Sequence, residues 1–463
     1  MDRKIVSPND GSIVKVVPDA SGAEIKEATR SARAAFPAWT AMPASDRAAV
    51  MHKAAAQVRA ETDDLAMLMS SEMGKPIKQA RSEAANVADL IDFFAEEGLR
   101  IVGEIPKLDL LNELPLVVKE PVGVVAAITP FNYPIALLTW KLGPALITGC
   151  TVVAKPDEHA PSAAMRLAEI FRSAHLPDGV FQVVTGAAEV GNALVESADV
   201  DKVAFTGSVA AGRMVAASAM ASNKRVTLEL GGQCPAIIGK GADLDAVLPP
   251  LVTHTFNNSG QYCYRINRIY VDQSLSGEFT DRFVAAVSRL RIGVSTENGT
   301  DIGPLCHEEI VQRSLGHVVD ARERGGRVLI GGERATGEQF GVGWFMQPTV
   351  IDRATQDMLV MQDETFGPVV GITEVSSMQE SIELANDSIY GLAAYVFTGD
   401  TGEGLQAALR IAAGSVWVNG VKKAYPQCPF GGYKASGLGR EKSHYGLDEY
   451  LELKSIYLQL PEL

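Results

Sequence analysis

The sequence predicts an α/β protein with two parallel-sheet units. Three features carry this. Short β-branched runs alternate with helical runs from 122 to 230, a second alternation runs from 235 to about 440, and residues 23–100 are helical with few breaks. In the first alternation 122–128, 151–154, 180–184, 202–205 and 225–228 read as strands, with helices at 137–147 and 162–174 between them. In the second, 245–255 and 275–290 look helical, while 268–271, 328–330 and 415–418 look extended. In such sheets ligands bind beyond the carboxyl ends of the strands, so the informative residues should follow them directly. A proline- and leucine-rich stretch at 105–121 separates the helical block from the first sheet, and 450–460 reads as an edge strand.

Composition excludes several classes. A chain of 463 residues is long enough for two or three domains with a large core. The opening MDRKIVSPNDGS lacks the apolar core of a signal peptide, and no run of eighteen residues is uninterruptedly apolar, which predicts a cytoplasmic protein without a membrane span. The five cysteines are widely separated and unpaired in pattern, and the seven histidines form no HExxH or HxH, so neither disulfides nor a metal are expected. A net charge of -14 without acidic or basic blocks argues against nucleic acid or an anionic membrane as partner.

Several residues after the expected strands have types suited to chemistry. Cys263 ends the segment FNNSGQYC, which turns through Gly260 before a strand. A cysteine in such a turn can be partly exposed and meet backbone N–H donors, although taken alone it reads as an inert buried thiol. Glu229, in LELGG, ends a strand, where burial would raise its pKa and suit it to activating water; the commoner fate of a lone glutamate is a salt bridge. Asn132, in TPFNYP, can donate to an oxyanion or simply occupy a turn. FTGS at 205–208 makes a strand-to-helix turn whose N–H groups can face a phosphate, but it lacks GxGxxG and is weak evidence alone. KPDE at 155–158 offers an ammonium and a carboxylate where a ribose could sit, or else a solvated charge cluster.

The order of these fragments is far more specific than any one of them. TPFNYP, KPDE, FTGS, LELGG, GQYC, then ETFGPV at 364–369 and PFGGYKASGLGRE at 429–441, resemble the aldehyde dehydrogenase superfamily over nearly the whole chain. The resemblance implies a Rossmann-type nicotinamide-binding domain (1–104 and 121–234) and an α/β catalytic domain (235–440). It also implies an oligomerisation element (105–120 and 441–463) made of a hairpin near 105–119 and the last strand, in a homodimer or homotetramer. Carried over by motif, Cys263 is the nucleophile, Glu229 the general base, Asn132 the oxyanion donor, and Lys141 with Glu441 a proton-passing pair. Glu364 would hold the nicotinamide ribose and Phe366 pack by the ring; Thr129, Phe131, Lys155, Glu158, Gly207, Ser208 and Gly231 would serve the rest of the dinucleotide. Relatives that pass the acyl group to coenzyme A lack a glutamate at the position of Glu229, so hydrolysis to the free acid is expected, and an acylating or non-enzymatic relative is the rival reading.

Asp157 and Glu158 would repel a 2′-phosphate, and Glu158 can accept from a 2′-hydroxyl, so NAD is the expected cofactor, with NADP possible. The positions that line the entry tunnel in the family are Tyr133, Trp140, Asn257, Tyr262, Tyr264 and the loop 421–429. Relatives specific for succinate semialdehyde carry arginines where this chain has Trp140 and Asn257, a departure that weakens that particular assignment. Arg265, Lys422 and Lys423 would instead supply positive charge at the tunnel mouth, unless the two lysines are plain solvated surface. A small polar or anionic aldehyde is the expected substrate, a neutral aliphatic or aromatic aldehyde the alternative.

Overall fold

The computed structural model describes residues 2–109, 112–421 and 424–461. A six-stranded sheet runs in the order Gly437–Leu438, Arg225–Glu229, Lys202–Thr206, Val124–Ile128, Thr151–Lys155, Phe181–Val183. Its strands pair in parallel, apart from the two-residue Gly437–Leu438, which is antiparallel to Arg225–Glu229. Val124–Ile128, Thr151–Lys155 and Lys202–Thr206 are buried throughout. That is why their central residues are all apolar, as in strands covered on both faces. From Val124–Ile128 the chain works outward to Phe181–Val183, then returns to lay Lys202–Thr206 on the other side. This reversal is a switch point, and it opens a crevice beyond the strand ends.

The second sheet has seven strands in the order Arg327–Ile330, Thr349–Asp352, Val369–Val375, Ile266–Asp272, Cys234–Ile238, Ala393–Phe397, Ser415–Val418. It is parallel except at its first, antiparallel pair. The strands expected at 268–271, 328–330 and 415–418 are all present; the other four were not singled out from the sequence. Nor was the N-terminal hairpin of Asp2–Val6 with Ile13–Pro18.

The helical block resolves into Gly22–Ala41, Ala44–Ala60, Thr62–Met73 and Ile77–Gly98. The first opens with a capping box between Ser21 and Glu24. Ala44–Ala60 and Ile77–Gly98 pack on the helix Ala136–Thr148, every residue of which is buried. Its last carbonyls, which have no partner within the helix, are met from the block: Trp39 Nε1 donates to Leu146 O at 3.1 Å and Arg47 Nε to Ile147 O at 3.0 Å. Its first N–H groups are met as well, because Glu83 Oε1 accepts from Ile135 (3.3 Å) and Ala136 (3.1 Å).

The expected terminal element appears as a two-stranded ribbon. Glu113–Pro121 pairs antiparallel with Leu451–Gln459 over their whole length, from Leu451 opposite Pro121 to Gln459 opposite Glu113. The hairpin expected near 105–119 is reduced to a single bridge between Glu104 and Val117, because 105–109 forms no strand. Among the described residues no helix is long and apolar enough to cross a membrane.

Close approach of Ile77–Gly98 to Ala136–Thr148 depends on two glycines. A Cβ at Gly98 would lie 2.0 Å from Ile147 Cγ1, and one at Gly143 would lie 2.4 Å from Phe94 Cδ2. Gly98→Ala and Gly143→Ala should each lower stability by about 1–3 kcal/mol through overpacking, read as a fall in the urea midpoint with the slope unchanged.

Candidate active site

Two cavities, of about 270 and 300 Å³, share the side chains of Cys263 and Asn132. The larger occupies the crevice at the switch point. Strand Val124–Ile128 delivers Thr129, Phe131 and Asn132 to it, and strand Lys202–Thr206 delivers Gly207 and Ser208. Ser208 then caps the helix Val209–Met220, accepting from Ala211 N–H at 3.3 Å. Ser208 and Ala211 both line the crevice, so this helix turns its N-terminal, dipole-positive end toward it, a setting for phosphate.

Lys155 and Asp157 line the far end of the crevice, whereas Glu158 lines an adjoining cavity with Arg3 and His159. Glu158 Oε2 lies 3.2 Å from Lys155 Nζ, and the His159 ring lies 2.7 Å from Asp157 Oδ1. Asp157, Glu158 and His159 have ligand-type atoms within 4.8 Å of one another. These contacts already engage them, and nothing further points to a metal.

Near Cys263 the crevice is closed by Glu364 and Phe366. Gly232 N–H donates to Glu364 Oε1 at 3.0 Å, and burial pushes this carboxyl up to about 7. The carboxylate comes so close to Gly231 that a Cβ there would lie 2.2 Å from its Oε2. Phe366 meets Phe131 edge-on, with ring centroids 5.8 Å apart.

Cys263 is reached from the helix Leu244–Phe256 through the turn Asn257–Gly260, in which Asn258 and Ser259 take left-handed φ of 49° and 55°. Asn258 Nδ2 donates to Asn132 O (3.2 Å) and to Gln261 O (3.0 Å), tying together the loops that carry Asn132 and Cys263. A Cβ at Gly232 would lie 2.3 Å from Cys263 O, so the turn is seated directly on the Gly231-Gly232 backbone. Burial pushes the Cys263 thiol well above its ordinary value, and the nearby Glu364, Cys234 and Glu229 add to this. It is therefore a thiol at neutral pH in the unliganded protein, and an acceptor is required to make it a nucleophile.

Glu229 is 3 % exposed, and among the described residues neither of its oxygens has a hydrogen-bond partner. Burial raises its pKa well above the carboxylate range, Glu441 raises it further, and Lys141 opposes both. Near it, Lys141 Nζ lies 2.5 Å from both Glu441 Oε1 and Thr206 Oγ1, deep in the interior. The expected Lys141–Glu441 pair thus exists as a contact between residues three hundred positions apart.

The second cavity is lined by Tyr133, Trp140, Asn257, Tyr262 and Tyr264, and, among the described residues of the loop 421–429, by Ala424 alone. Asn257 Nδ2 donates to the Tyr133 hydroxyl at 2.8 Å, and Trp140 Nε1 is buried without a partner. Arg265 departs from expectation. It is 1 % exposed, does not line the cavity, and donates from its guanidinium to Val369 O at 2.7 Å. It immediately precedes strand Ile266–Asp272 and braces it against Val369–Val375, and burial lowers its pKa to about 10. Lys422 and Lys423 lie outside the described residues.

A family model described as the aldehyde dehydrogenase family matches residues 2–456. The chain belongs to the aldehyde dehydrogenase family. It is accordingly an NAD(P)-dependent oxidoreductase acting on aldehydes. It is 40% identical over 457 residues to the glutarate-semialdehyde dehydrogenase of Pseudomonas aeruginosa, covering 98% of this chain and 94% of that one. To the NADP(+) succinate-semialdehyde dehydrogenase of Escherichia coli it is 39% identical over 457 residues, with 98% and 94% covered. The crystal structure of Staphylococcus aureus betaine aldehyde dehydrogenase in complex with NAD+ superposes with a TM-score of 0.97 at 32% identity, covering 100% of this chain and 92% of that one.

Some lining residues of this aldehyde dehydrogenase were not picked out from the sequence. Glu83 lies on the buried face of Ile77–Gly98 with Ala80, Ala84 and Val87, pairs with buried Lys75, and lines the second cavity. A charge on an apolar stripe was the available signal. Lys442, directly after the recognised Glu441, lines the same cavity.

Lys141→Met would leave the Glu441 carboxylate buried without a counter-charge and should cost about 3–5 kcal/mol of stability. Lys141→Met combined with Glu441→Gln should recover much of that loss, as measured by urea unfolding of both variants.

Proposed function

We propose that the protein oxidises a short polar or anionic aldehyde, of the semialdehyde type, to its carboxylic acid, with NAD preferred and release by hydrolysis. The observation that carries this reading is the position of Cys263 and Asn132 where the two cavities meet, with a partnerless buried glutamate nearby. The cavity of Tyr133 and Trp140 would take the aldehyde. The crevice would take the dinucleotide, its phosphates at Gly207 and Ser208, its nicotinamide ribose at Glu364 and its ring by Phe366 and Thr129.

In this reading Cys263 loses its proton to Glu229 and its sulfur attacks the carbonyl carbon. The Asn132 side chain and the Cys263 backbone N–H hold the oxyanion of the thiohemiacetal. The bound nicotinamide supplies the hydride acceptor. Glu229 then takes a proton from the water that attacks the thioester, and the acid leaves as the Cys263 thiol is restored. Lys141 and Glu441 pass the proton on from Glu229. The preference for NAD rests on Asp157 in the crevice and Glu158 beside it, which repel a 2′-phosphate. The carboxyl-terminal ribbon exposes Leu453, Ile456, Tyr457 and Leu458. A two-stranded ribbon is marginal alone, so covering it in a homodimer or homotetramer is part of the proposal.

Stopped-flow NADH formation without coenzyme A tests the chemistry. Cys263→Ala should form none. Glu229→Gln should slow steady turnover by about 10²–10⁴-fold. Strict dependence on coenzyme A would sink the hydrolytic reading.

The pH profile follows from burial. Because Glu229 binds its proton more tightly than an exposed carboxyl, the base form accumulates only as pH rises through its elevated value. In the wild type log kcat should climb with pH and then level, and this limb should be absent from the residual activity of Glu229→Gln.

A further inference from the structure

Lys442 occupies a position that opposes a lysine in three ways. Its backbone lies at φ 63° and ψ 174°, a region that side-chain-bearing residues rarely enter. Its side chain is 3 % exposed. Its ammonium donates to a carbonyl, Ala424 O at 2.8 Å, and sits 3.9 Å from the centroid of the Trp140 ring, with Phe430 beyond at 5.7 Å. The adjacent Glu441 favours the ammonium only through space, because its Oε1 is given to Lys141. A strained, buried cation with two N–H donors unused among the described residues does little for the fold and much for an anion.

The surroundings single it out further. Among the described residues lining the cavity that contains Cys263, Lys442 is the one lysine or arginine. His254 is kept neutral there, since burial drives its pKa down to about 3. Glu83 is already committed to Lys75 and to the N–H groups of Ile135 and Ala136. Trp140 lines the same wall and offers its ring face to the ammonium.

We propose that Lys442 and Trp140 form the subsite for a terminal carboxylate on the aldehyde substrate, with Lys442 the residue that selects it. This rests on the reading that Cys263 attacks the carbonyl carbon, which fixes the other end of the substrate. An ammonium that gives one donor to Ala424 O, and no other among the described residues, has two donors to match the two oxygens of a carboxylate. A phosphate dianion would leave one charge buried and uncompensated.

Burial pushes the Lys442 pKa down to about 7. The groups facing it are the Trp140 and Phe430 rings and the Ala424 carbonyl, with Glu441, Glu229, Cys263 and Cys428 as its titratable neighbours. A bound carboxylate favours the ammonium form. The preference for an anionic aldehyde should therefore be greatest below about 7 and fall as pH rises through it.

The experiment measures kcat/KM of the full chain for a four-carbon aldehyde ending in a carboxylate, its sulfonate and phosphate analogues, and its carboxamide. Wild type should favour the carboxylate. Lys442→Met should lower the carboxylate-to-carboxamide ratio by about 10- to 100-fold, the worth of a hydrogen bond to a charged group, with most of the change in KM. Lys442→Arg should keep most of the ratio. Lys442→Gly removes the backbone strain and should lose the ratio as Met does, which keeps the result readable if the methionine variant folds poorly. An unmoved ratio in both the Met and Gly variants, or a wild type that favours the phosphate or the carboxamide, overturns the subsite. A wild type that oxidises none of these aldehydes overturns the reading of Cys263 itself.

Discussion

The reactive centre depends on the burial of Glu229. A carboxyl group with no hydrogen-bond partner is expensive to ionise in a protein interior, and the surrounding structure keeps this one so. The short strand Gly437–Leu438 covers the edge of Arg225–Glu229. Gly431 packs so closely that a Cβ there would lie 2.8 Å from Glu229 Oε1. The buried helix Ala136–Thr148 places Lys141 where it moderates the penalty without contacting the carboxylate. A direct salt bridge at Glu229 would have stabilised the charged form and weakened it as a base.

That burial requires both sheets at once, and one segment joins them. After the last strand of the second sheet, Ser415–Val418, the chain returns to the first. Leu230 N–H donates to Ser436 O at 2.9 Å, and Ser436 Oγ donates to Gly231 O at 2.7 Å. The segment that makes these bonds also carries Gly431, Glu441 and Lys442 into the centre. Glu364 and Cys263 arrive from the second unit, Asn132 and Glu229 from the first, so neither unit holds a complete site.

Much of this was legible in the sequence because parallel strands end in their functional residues. Asn132, Glu229 and the Gly207-Ser208 turn each directly follow or close a run that reads as a strand, and their order along the chain gave the family. The strands of the first sheet were visible through their alternation with helical runs, whereas Cys234–Ile238 and Ala393–Phe397, equally short and equally buried, have no period that tells them from core helix. Arg265 was misplaced because a cation two residues beyond the cysteine looks as though it faces the same cavity, and only the geometry of strand entry shows that it turns away. The Glu83–Lys75 pair and the position of Lys442 are products of tertiary contact. In sequence they are ordinary charges on a helix, in a turn and after a glycine-rich run.

The seating of Cys263 on Gly232 has a consequence for how this scaffold can vary. With the cysteine carbonyl pressed against a position that tolerates no side chain, the sulfur cannot be shifted to suit a longer or shorter substrate. The reacting bond is a fixed origin. Divergence in substrate choice must therefore be written at the opposite wall, in side chains from the helices and the returning C-terminal segment, which can change size and charge while the attacking atom stays where it is.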